Sequence, residues 1–176
     1  MINSNNKLKD NYRILTERIN LTSIDLDTKS TYEIVKLFSE ADKEPQKAVE
    51  KAIPDIVNAI DEITVRLKSN GRLFYIGTGT SGRIGVLDAS ELPPTFCTTP
   101  DLVQGIIAGG VPSLTRSSES LEDLPEIAIS DLKDRNFSNR DVLIGITASG
   151  RTPYVVGALN YSKNINALTI SISSVP

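Results

Sequence analysis

The sequence predicts an α/β fold, in which a parallel β-sheet is flanked by helices and preceded by a helical extension. Four short apolar runs lie in the later part of the chain, at 73–77, 102–109, 141–148 and 167–173. Segments of ten or more helix-compatible residues separate these runs, an alternation typical of βα units in a parallel sheet. The runs are apolar throughout rather than at every second position, which predicts that helices cover both faces of the sheet.

The part of the chain before the first apolar run divides into an arm and a helical extension. Residues 1–28 are polar and irregular, which favours a loosely held arm. Helical signals occupy 29–70, where Ser30 offers a hydroxyl cap and Glu33 follows three residues later, as in a capping box. The sheet domain then takes up 71–176.

A second helical region within the extension runs from about residue 45 to residue 69. Its apolar residues recur at spacings of 4, 3 and 4 and so share one face: Ile56, Ile60, Ile63 and Leu67. We expect Pro54 to restart the helix at a first turn, where proline is favoured. Asn70-Gly71 then ends the helix, because these residue types tolerate a left-handed backbone at a helix C-terminus.

Composition limits the cellular setting and the partners. A net charge of −3 lacks the electrostatic footprint of a nucleic-acid-binding protein. No apolar stretch approaches the roughly 20 residues that cross a bilayer, and residues 1–13 lack the apolar centre of a signal peptide. Cys97 is the single cysteine, so no intrachain disulfide can form. We therefore expect a cytoplasmic protein with no nucleic-acid or membrane partner.

The sequence contains no histidine. This excludes a histidine-based zinc or iron site, and one cysteine cannot complete a soft-ligand set, so no metal is expected. It also excludes Ser–His and Cys–His nucleophile pairs. Acid–base chemistry near neutral pH would then depend on a carboxylate or a lysine whose pKa is shifted.

The first predicted strand leads into a glycine-rich segment, GTGTSGRIG at 77–85. Its G-x-G-x-x-G spacing is also that of a dinucleotide-binding turn. Such a turn is accompanied by an acidic residue near the end of the next strand, which contacts the ribose. Here the next strand ends in IIAGG, without an acid. The segment therefore points to a different anionic ligand.

Hydroxyl groups among these glycines favour a phosphate monoester. A loop at a helix N-terminus offers free backbone N–H groups and a favourable dipole to an anion, and added hydroxyl donors suit the several oxygens of a terminal phosphate. The residues expected to bind phosphate here are Thr78, Gly79, Thr80, Ser81 and Gly82.

The third predicted strand leads into a second loop of the same kind, TASGRT at 147–152. Both loops contain Ser-Gly-Arg, and both follow strands whose carboxyl ends meet at one edge of the sheet, where open α/β sheets bind ligands. Either loop alone could be only a tight turn with small capping residues. The phosphate-binding residues expected in the second loop are Ser149, Gly150, Arg151 and Thr152.

Two segments carry a resemblance to a known family: RLFYIGTGTSGRIGVLDASELPPTF at 72–96, followed by IIAGG, and GITASGRTPYVVGAL at 145–159. They closely resemble the N-acetylmuramic acid 6-phosphate etherases, members of the SIS phosphosugar-binding superfamily, and the resemblance covers nearly everything after residue 15. It implies a flavodoxin-like SIS sheet of which the C-terminal part is missing from this chain. It also implies a homodimer.

The resemblance further implies a lyase reaction that uses no metal or organic cofactor. The family removes the lactyl ether from C3 of N-acetylmuramic acid 6-phosphate by elimination and addition of water, with a pair of glutamates as acid and base. The acid in the family's D-A-S-E-x-P-P-T motif matches Glu91, which is expected at the end of a helix that Pro93-Pro94 stop. The second glutamate matches Glu122 in ESLED. Without the resemblance, Glu91 fits a solvated charge at a helix end as well as it fits a catalyst, whereas Glu122 fits a solvated helical face better than a catalytic role.

Two alternative functions would keep part of this pattern. A non-catalytic sugar-phosphate-binding regulator, such as the related glucokinase regulatory protein, would retain both Ser-Gly-Arg loops but would not need two glutamates. An aldose–ketose isomerase of the SIS type usually needs a histidine or lysine to open the sugar ring, and the absence of histidine argues against it.

Overall fold

The computed structural model describes residues 15–117 and 119–175, which fall into two compact units that divide between Ile60 and Asp61. The first half of the predicted arm lies outside the described residues. Its remaining part contains short 3₁₀ helices at Leu15–Glu17, Leu21–Ser23 and Leu26–Thr28. The change from helix to sheet falls between Lys68 and Leu73.

Helix α1 spans Thr31–Ala41 and begins as the sequence predicts. Ser30 is its N-cap residue, and the Glu33 N–H donates to the Ser30 hydroxyl oxygen at 3.4 Å. In return the Ser30 N–H donates to the Glu33 carboxylate at 2.8 Å. This reciprocal pair satisfies two N–H groups that the first turn leaves without helical partners, which confirms the capping box.

Helix α2 spans Lys43–Lys68 without interruption, so the prediction that Pro54 restarts a helix is wrong. Proline removes one helical hydrogen bond, here the one to the carbonyl of Glu50, which is an exposed residue. The turn that closes the C-terminus of the helix contains Asn70, whose φ is 63°. The N–H groups of Asn70 and Gly71 donate to the carbonyls of Leu67 and Arg66, at 3.2 and 2.9 Å, which is the expected C-terminal motif.

All four predicted strands are present, each within its apolar run. They are β1 (Leu73–Gly77), β2 (Val103–Ile107), β3 (Val142–Ile146) and β4 (Leu168–Ile172). They form a parallel sheet in the order β2-β1-β3-β4. The prediction of a parallel α/β sheet is confirmed.

Helices cover both faces of this sheet, as the continuous apolar strands predict. The helices that follow the first three strands are α3 (Gly79–Phe96), α4 (Pro125–Lys133) and α5 (Pro153–Asn164). On one face, Phe74 of β1 lies in a buried cluster with Leu132 of α4 and Val155 of α5. On the other face, Leu73 lies in a cluster with Ala89 of α3.

The predicted apolar face of α2 is only partly packed against other residues. Ile63 and Leu67 pack against the cluster around Leu73, whereas Ile56 and Ile60 are 41% and 55% exposed. Among the described residues, no helix combines the length and apolar character needed to cross a membrane.

Helix α3 continues through Pro93 and Pro94 to Phe96, so the expectation that this proline pair stops the helix is wrong. The helix ends instead at Cys97, whose backbone is left-handed at φ 56° and whose N–H donates to the Pro93 carbonyl at 3.0 Å. Each proline removes one backbone donor from the helix, while its fixed φ is close to the helical value. Glu91 therefore lies inside the helix rather than at its end.

Candidate active site

The two hydroxyl-bearing loops lie beside each other in the structure. They follow β1 and β3, which are hydrogen-bonded neighbours with Gly77 opposite Ile146. The chain passes from β1 to β2 on one side and then to β3 on the other, so the strand order reverses between β1 and β3. In doubly wound sheets, ligands bind in the crevice at this reversal. The expected juxtaposition of the loops is confirmed.

The glycines of the first loop allow β1 and α3 to approach with backbone against backbone. A Cβ atom at Gly77 would lie 2.7 Å from the Gly82 nitrogen, and one at Gly82 would lie 2.7 Å from the Gly77 carbonyl oxygen. Gly79 between them has φ +48°, a conformation that other residues rarely adopt. The glycine spacing therefore follows from the tight strand-to-helix turn and does not require a dinucleotide.

The start of α3 presents free donors. Thr78 is its N-cap residue, and the first helical bond runs from the Gly82 N–H to the Thr78 carbonyl at 3.1 Å. In the described part of the chain, the N–H groups of Gly79, Thr80 and Ser81 have no hydrogen-bond partner. Three N–H groups at the positive end of a helix form a suitable anion site.

The second loop is held by hydrogen bonds of its own. The hydroxyls of Thr147 and Thr152 are 2.8 Å apart and hydrogen-bonded, and the Arg151 N–H donates to the Ser149 hydroxyl at 3.3 Å. Gly150 has φ +69°, which lets the chain turn between them. The Arg151 side chain is exposed at the same edge of the sheet. This loop thus offers three hydroxyl groups and a guanidinium on a backbone that its own hydrogen bonds hold in place.

Glu122 lies beside the first loop and is hydrogen-bonded to the helix that follows the second loop. Its side-chain Oε1 lies 3.7 Å from the place where a Cβ of Gly79 would stand, so the carboxylate faces the first turn of α3. Its main-chain carbonyl accepts a hydrogen bond from the Tyr154 N–H at 3.0 Å, in the first turn of α5. The structure therefore brings Glu122 beside the predicted phosphate site, although 43 residues separate it from Gly79.

Glu91 occupies a different setting. It is exposed on α3, and its carboxylate makes no hydrogen bond or ion pair within the part of the chain that the structure describes. Twelve residues separate it from Gly79, which is about 18 Å along the axis at ~1.5 Å per residue. The described contacts thus place Glu122, but not Glu91, beside the first loop. That the two glutamates converge on one pocket stays a prediction.

Sequence reasoning missed the role of Arg83, the arginine of the first Ser-Gly-Arg. Its Nε donates to the Leu114 carbonyl at 3.0 Å, and its terminal nitrogen donates to the Arg116 carbonyl at 3.3 Å. Its counterpart Arg151 is exposed. The repeated triplet indicated that this arginine mattered, but the partners lie 31 and 33 residues away and have no sequence signature.

No group of three or more histidine, cysteine or acidic side chains suited to a metal ion occurs among the described residues. The chemistry available at this edge of the sheet therefore consists of backbone N–H donors, hydroxyl groups, a guanidinium and the Glu122 carboxylate. These groups can bind an anion and transfer a proton.

A parallel sheet whose strand order reverses between β1 and β3, with hydroxyl-bearing loops at that point, is a doubly wound α/β domain with a ligand crevice. A family model described as the glucokinase regulatory protein N-terminal SIS domain matches residues 55–163, and the chain belongs to this family.

Similar proteins agree with this assignment. N-acetylmuramic acid 6-phosphate etherases from Prochlorococcus marinus strains NATL2A and NATL1A are 81% and 78% identical to the chain over its whole length. The chain spans 57% of the length of these relatives. The solved structure of phosphoheptose isomerase GmhA from Neisseria gonorrhoeae covers 81% of the chain, and 73% of that structure is covered, with a TM-score of 0.62 and 17% identity. This last likeness supports the fold.

Proposed function

We propose that the whole protein is a lyase that cleaves the D-lactyl ether of N-acetylmuramic acid 6-phosphate, giving N-acetylglucosamine 6-phosphate and D-lactate. The reaction belongs to amino-sugar catabolism and peptidoglycan recycling in the cytoplasm. The observation that carries the proposal is the position of the Glu122 carboxylate beside the free N–H groups that start α3. The names of relatives at 81% and 78% identity support it.

The 6-phosphate binds between the two loops. The N–H groups of Gly79, Thr80 and Ser81 and the Ser81 hydroxyl donate to its oxygens from one side. Ser149, Arg151 and the rest of the second loop supply donors from the other side. Hydrogen bonds to a charged group are stronger than those between neutral groups, so these contacts hold the sugar by its phosphate end.

Two carboxyl groups carry out the elimination on the open-chain aldehyde. The carbonyl at C1 acidifies the C2 proton, and an ionised carboxylate removes it. The C3–O bond then breaks, and the departing lactate oxygen takes a proton from a carboxylic acid. Water adds to C3 of the resulting double bond, and the proton returns to C2. Glu122 and Glu91 are the proposed pair, and no cofactor takes part.

A homodimer is part of the proposal. Glu91 shares an exposed side of α3 with Ile84 and Leu87, which are 54% and 62% exposed. A partner that covers these apolar side chains would also remove water from Glu91.

The decisive experiment is incubation of the full-length protein with N-acetylmuramic acid 6-phosphate, followed by an enzymatic assay for D-lactate. Release of one lactate per sugar supports the etherase. Binding of the sugar phosphate without lactate release would support a non-catalytic regulator and would contradict the proposed reaction.

A further inference from the structure

We propose that Arg83 is a positioning residue that fixes Glu122 relative to the phosphate loop. Its guanidinium holds the segment that connects β2 to Glu122 against α3, through the carbonyls of Leu114 and Arg116. The kinetic part of this proposal rests on the proposed etherase function.

The segment held by Arg83 has local backbone hydrogen bonds, such as the one from the Ser113 N–H to the Gly110 carbonyl at 3.0 Å. It begins at Gly109 and Gly110, both with positive φ (84° and 64°), and continues as the 3₁₀ helix Val111–Leu114. Val111 is 78% exposed. Hydrogen bonds of this local kind join residues three or four apart, so they shape the turn itself and do not attach it to α3. The Arg83 guanidinium adds two hydrogen bonds at the end of this helix, to the carbonyls of Leu114 and Arg116.

Arg83 and the phosphate loop belong to one rigid element. Arg83 lies four residues after Gly79, which is about one turn of α3. The carboxylate of Glu122 faces this same turn. The hydrogen bonds of Arg83 therefore fix the position of this segment relative to the first turn of α3. On its other side, Glu122 is held by the Tyr154 N–H.

The two Ser-Gly-Arg triplets consequently differ in function. The guanidinium of Arg83 is engaged by main-chain carbonyls, so it has fewer donors left for phosphate. Arg151 is exposed, and its side chain has no partner within the residues that the structure describes. Loss of Arg83 should thus disturb the geometry of catalysis more than the binding of the phosphate.

The test uses Arg83→Gln and Arg83→Lys in the full-length protein, with Arg66→Gln as the matched control. Arg66 also donates to a main-chain carbonyl, that of Asn139 at 2.9 Å, but at the opposite edge of the sheet. The measurements are kcat and KM for N-acetylmuramic acid 6-phosphate, and hydrogen–deuterium exchange of residues 111–124.

For Arg83→Gln we expect kcat to fall about 100-fold, the scale of a misplacement of roughly 1 Å, while KM changes much less. Exchange in 111–124 should become faster. Arg83→Lys keeps a donor for one carbonyl and should restore part of kcat, which also tests the proposal if the glutamine variant does not fold. Arg66→Gln should keep the wild-type kcat.

A large rise in KM with unchanged kcat would show that Arg83 binds the phosphate and would overturn the proposal. Unchanged exchange in 111–124 would overturn it as well. If the wild-type protein releases no lactate, the etherase function fails, whereas the exchange comparison still tests whether Arg83 holds this segment.

Discussion

The main-chain carbonyl of Glu122 accepts a hydrogen bond from the main-chain N–H of Tyr154. Tyr154 is completely buried in α5, and its hydroxyl donates to Asp131 of α4. Burial and this hydrogen bond raise the pKa of the Tyr154 hydroxyl well above its ordinary value, so the group stays a neutral donor. Glu122 is therefore attached to the core of the domain, although its carboxylate faces the edge of the sheet.

Glu122→Gln should abolish most of the etherase activity and leave substrate binding largely intact. Loss of a general acid or base lowers kcat by roughly 10²–10⁴, and little change in KM is expected because the phosphate contacts remain. Steady-state kinetics on the full-length variant provide the test. Full activity in this variant would refute the role of Glu122.

Glu91→Gln should also lower kcat. This variant can distinguish removal of the C2 proton from departure of the lactate. If Glu91 protonates the departing lactate, its variant still exchanges the C2 proton with solvent deuterium, whereas Glu122→Gln does not. Mass spectrometry of substrate recovered from heavy water distinguishes the two. Exchange in Glu122→Gln but not in Glu91→Gln would reverse the assignment of acid and base.

Ser81→Ala and Ser149→Ala should each weaken the binding of sugar 6-phosphates. Each removes a hydrogen bond to a charged group, which contributes about 1.5–3 kcal/mol. Calorimetric titration with N-acetylglucosamine 6-phosphate measures the loss. Ser90→Ala is a suitable control, because the Ser90 hydroxyl donates to the Leu87 carbonyl, at 2.8 Å, within α3. Unchanged affinity in both variants would contradict the phosphate site.

Gly79→Ala should reduce both stability and sugar-phosphate affinity. A non-glycine residue at φ +48° is strained by on the order of 1–2 kcal/mol, and its Cβ would stand beside the Glu122 carboxylate. Gly110→Ala is the control, since Gly110 has φ +64° and nothing within 4 Å of an added Cβ. Urea unfolding should show a loss in both variants, and titration should show weaker binding chiefly for Gly79→Ala. Equal effects on affinity would argue against a special role of Gly79.

Asp141→Asn should destabilise the domain at neutral pH. Burial by itself raises the pKa of the Asp141 carboxyl, but hydrogen bonds from the Arg72 guanidinium and the Ser138 N–H outweigh it and hold the pKa below its ordinary value of 3.8. The folded pKa is thus below the unfolded one. This contribution to stability is complete above about pH 4 and is lost as the pH falls through the folded pKa.

The expected loss for Asp141→Asn is on the order of 3 kcal/mol at pH 7, because Arg72 keeps a partly buried charge without its carboxylate. Urea unfolding from pH 7 to about pH 3 measures the difference from wild type, which should shrink as Asp141 becomes protonated. Asp134→Asn changes an exposed carboxylate and should have little effect. A difference that is independent of pH would contradict this account.

Leu87→Glu should weaken assembly of the full-length protein. A charge in the centre of an apolar contact is costly to bury, so the dimer proposed around α3 should dissociate more readily. Sedimentation velocity at micromolar concentration compares the variant with wild type. A wild-type protein that sediments as a stable monomer would exclude the dimer.

The sequence alone determined those features that depend on neighbours close in the chain. The four strands were recognisable because their apolar character is continuous, and the start of α1 because Ser30 and Glu33 are three residues apart. The end of α2 at Asn70-Gly71 was likewise evident, since a left-handed backbone favours these residue types. The presence of both loops at one edge followed from the direction of parallel strands.

The tertiary structure decided which distant groups meet. Pro54 lies within a helix because its surroundings tolerate one lost hydrogen bond, which its own propensity does not reveal. Glu122 reaches Gly79, and Arg83 reaches the segment before Glu122, only through the crossover from β2 towards β3. Local sequence patterns do not predict such pairs, because their contacts form only after the sheet has brought the elements together.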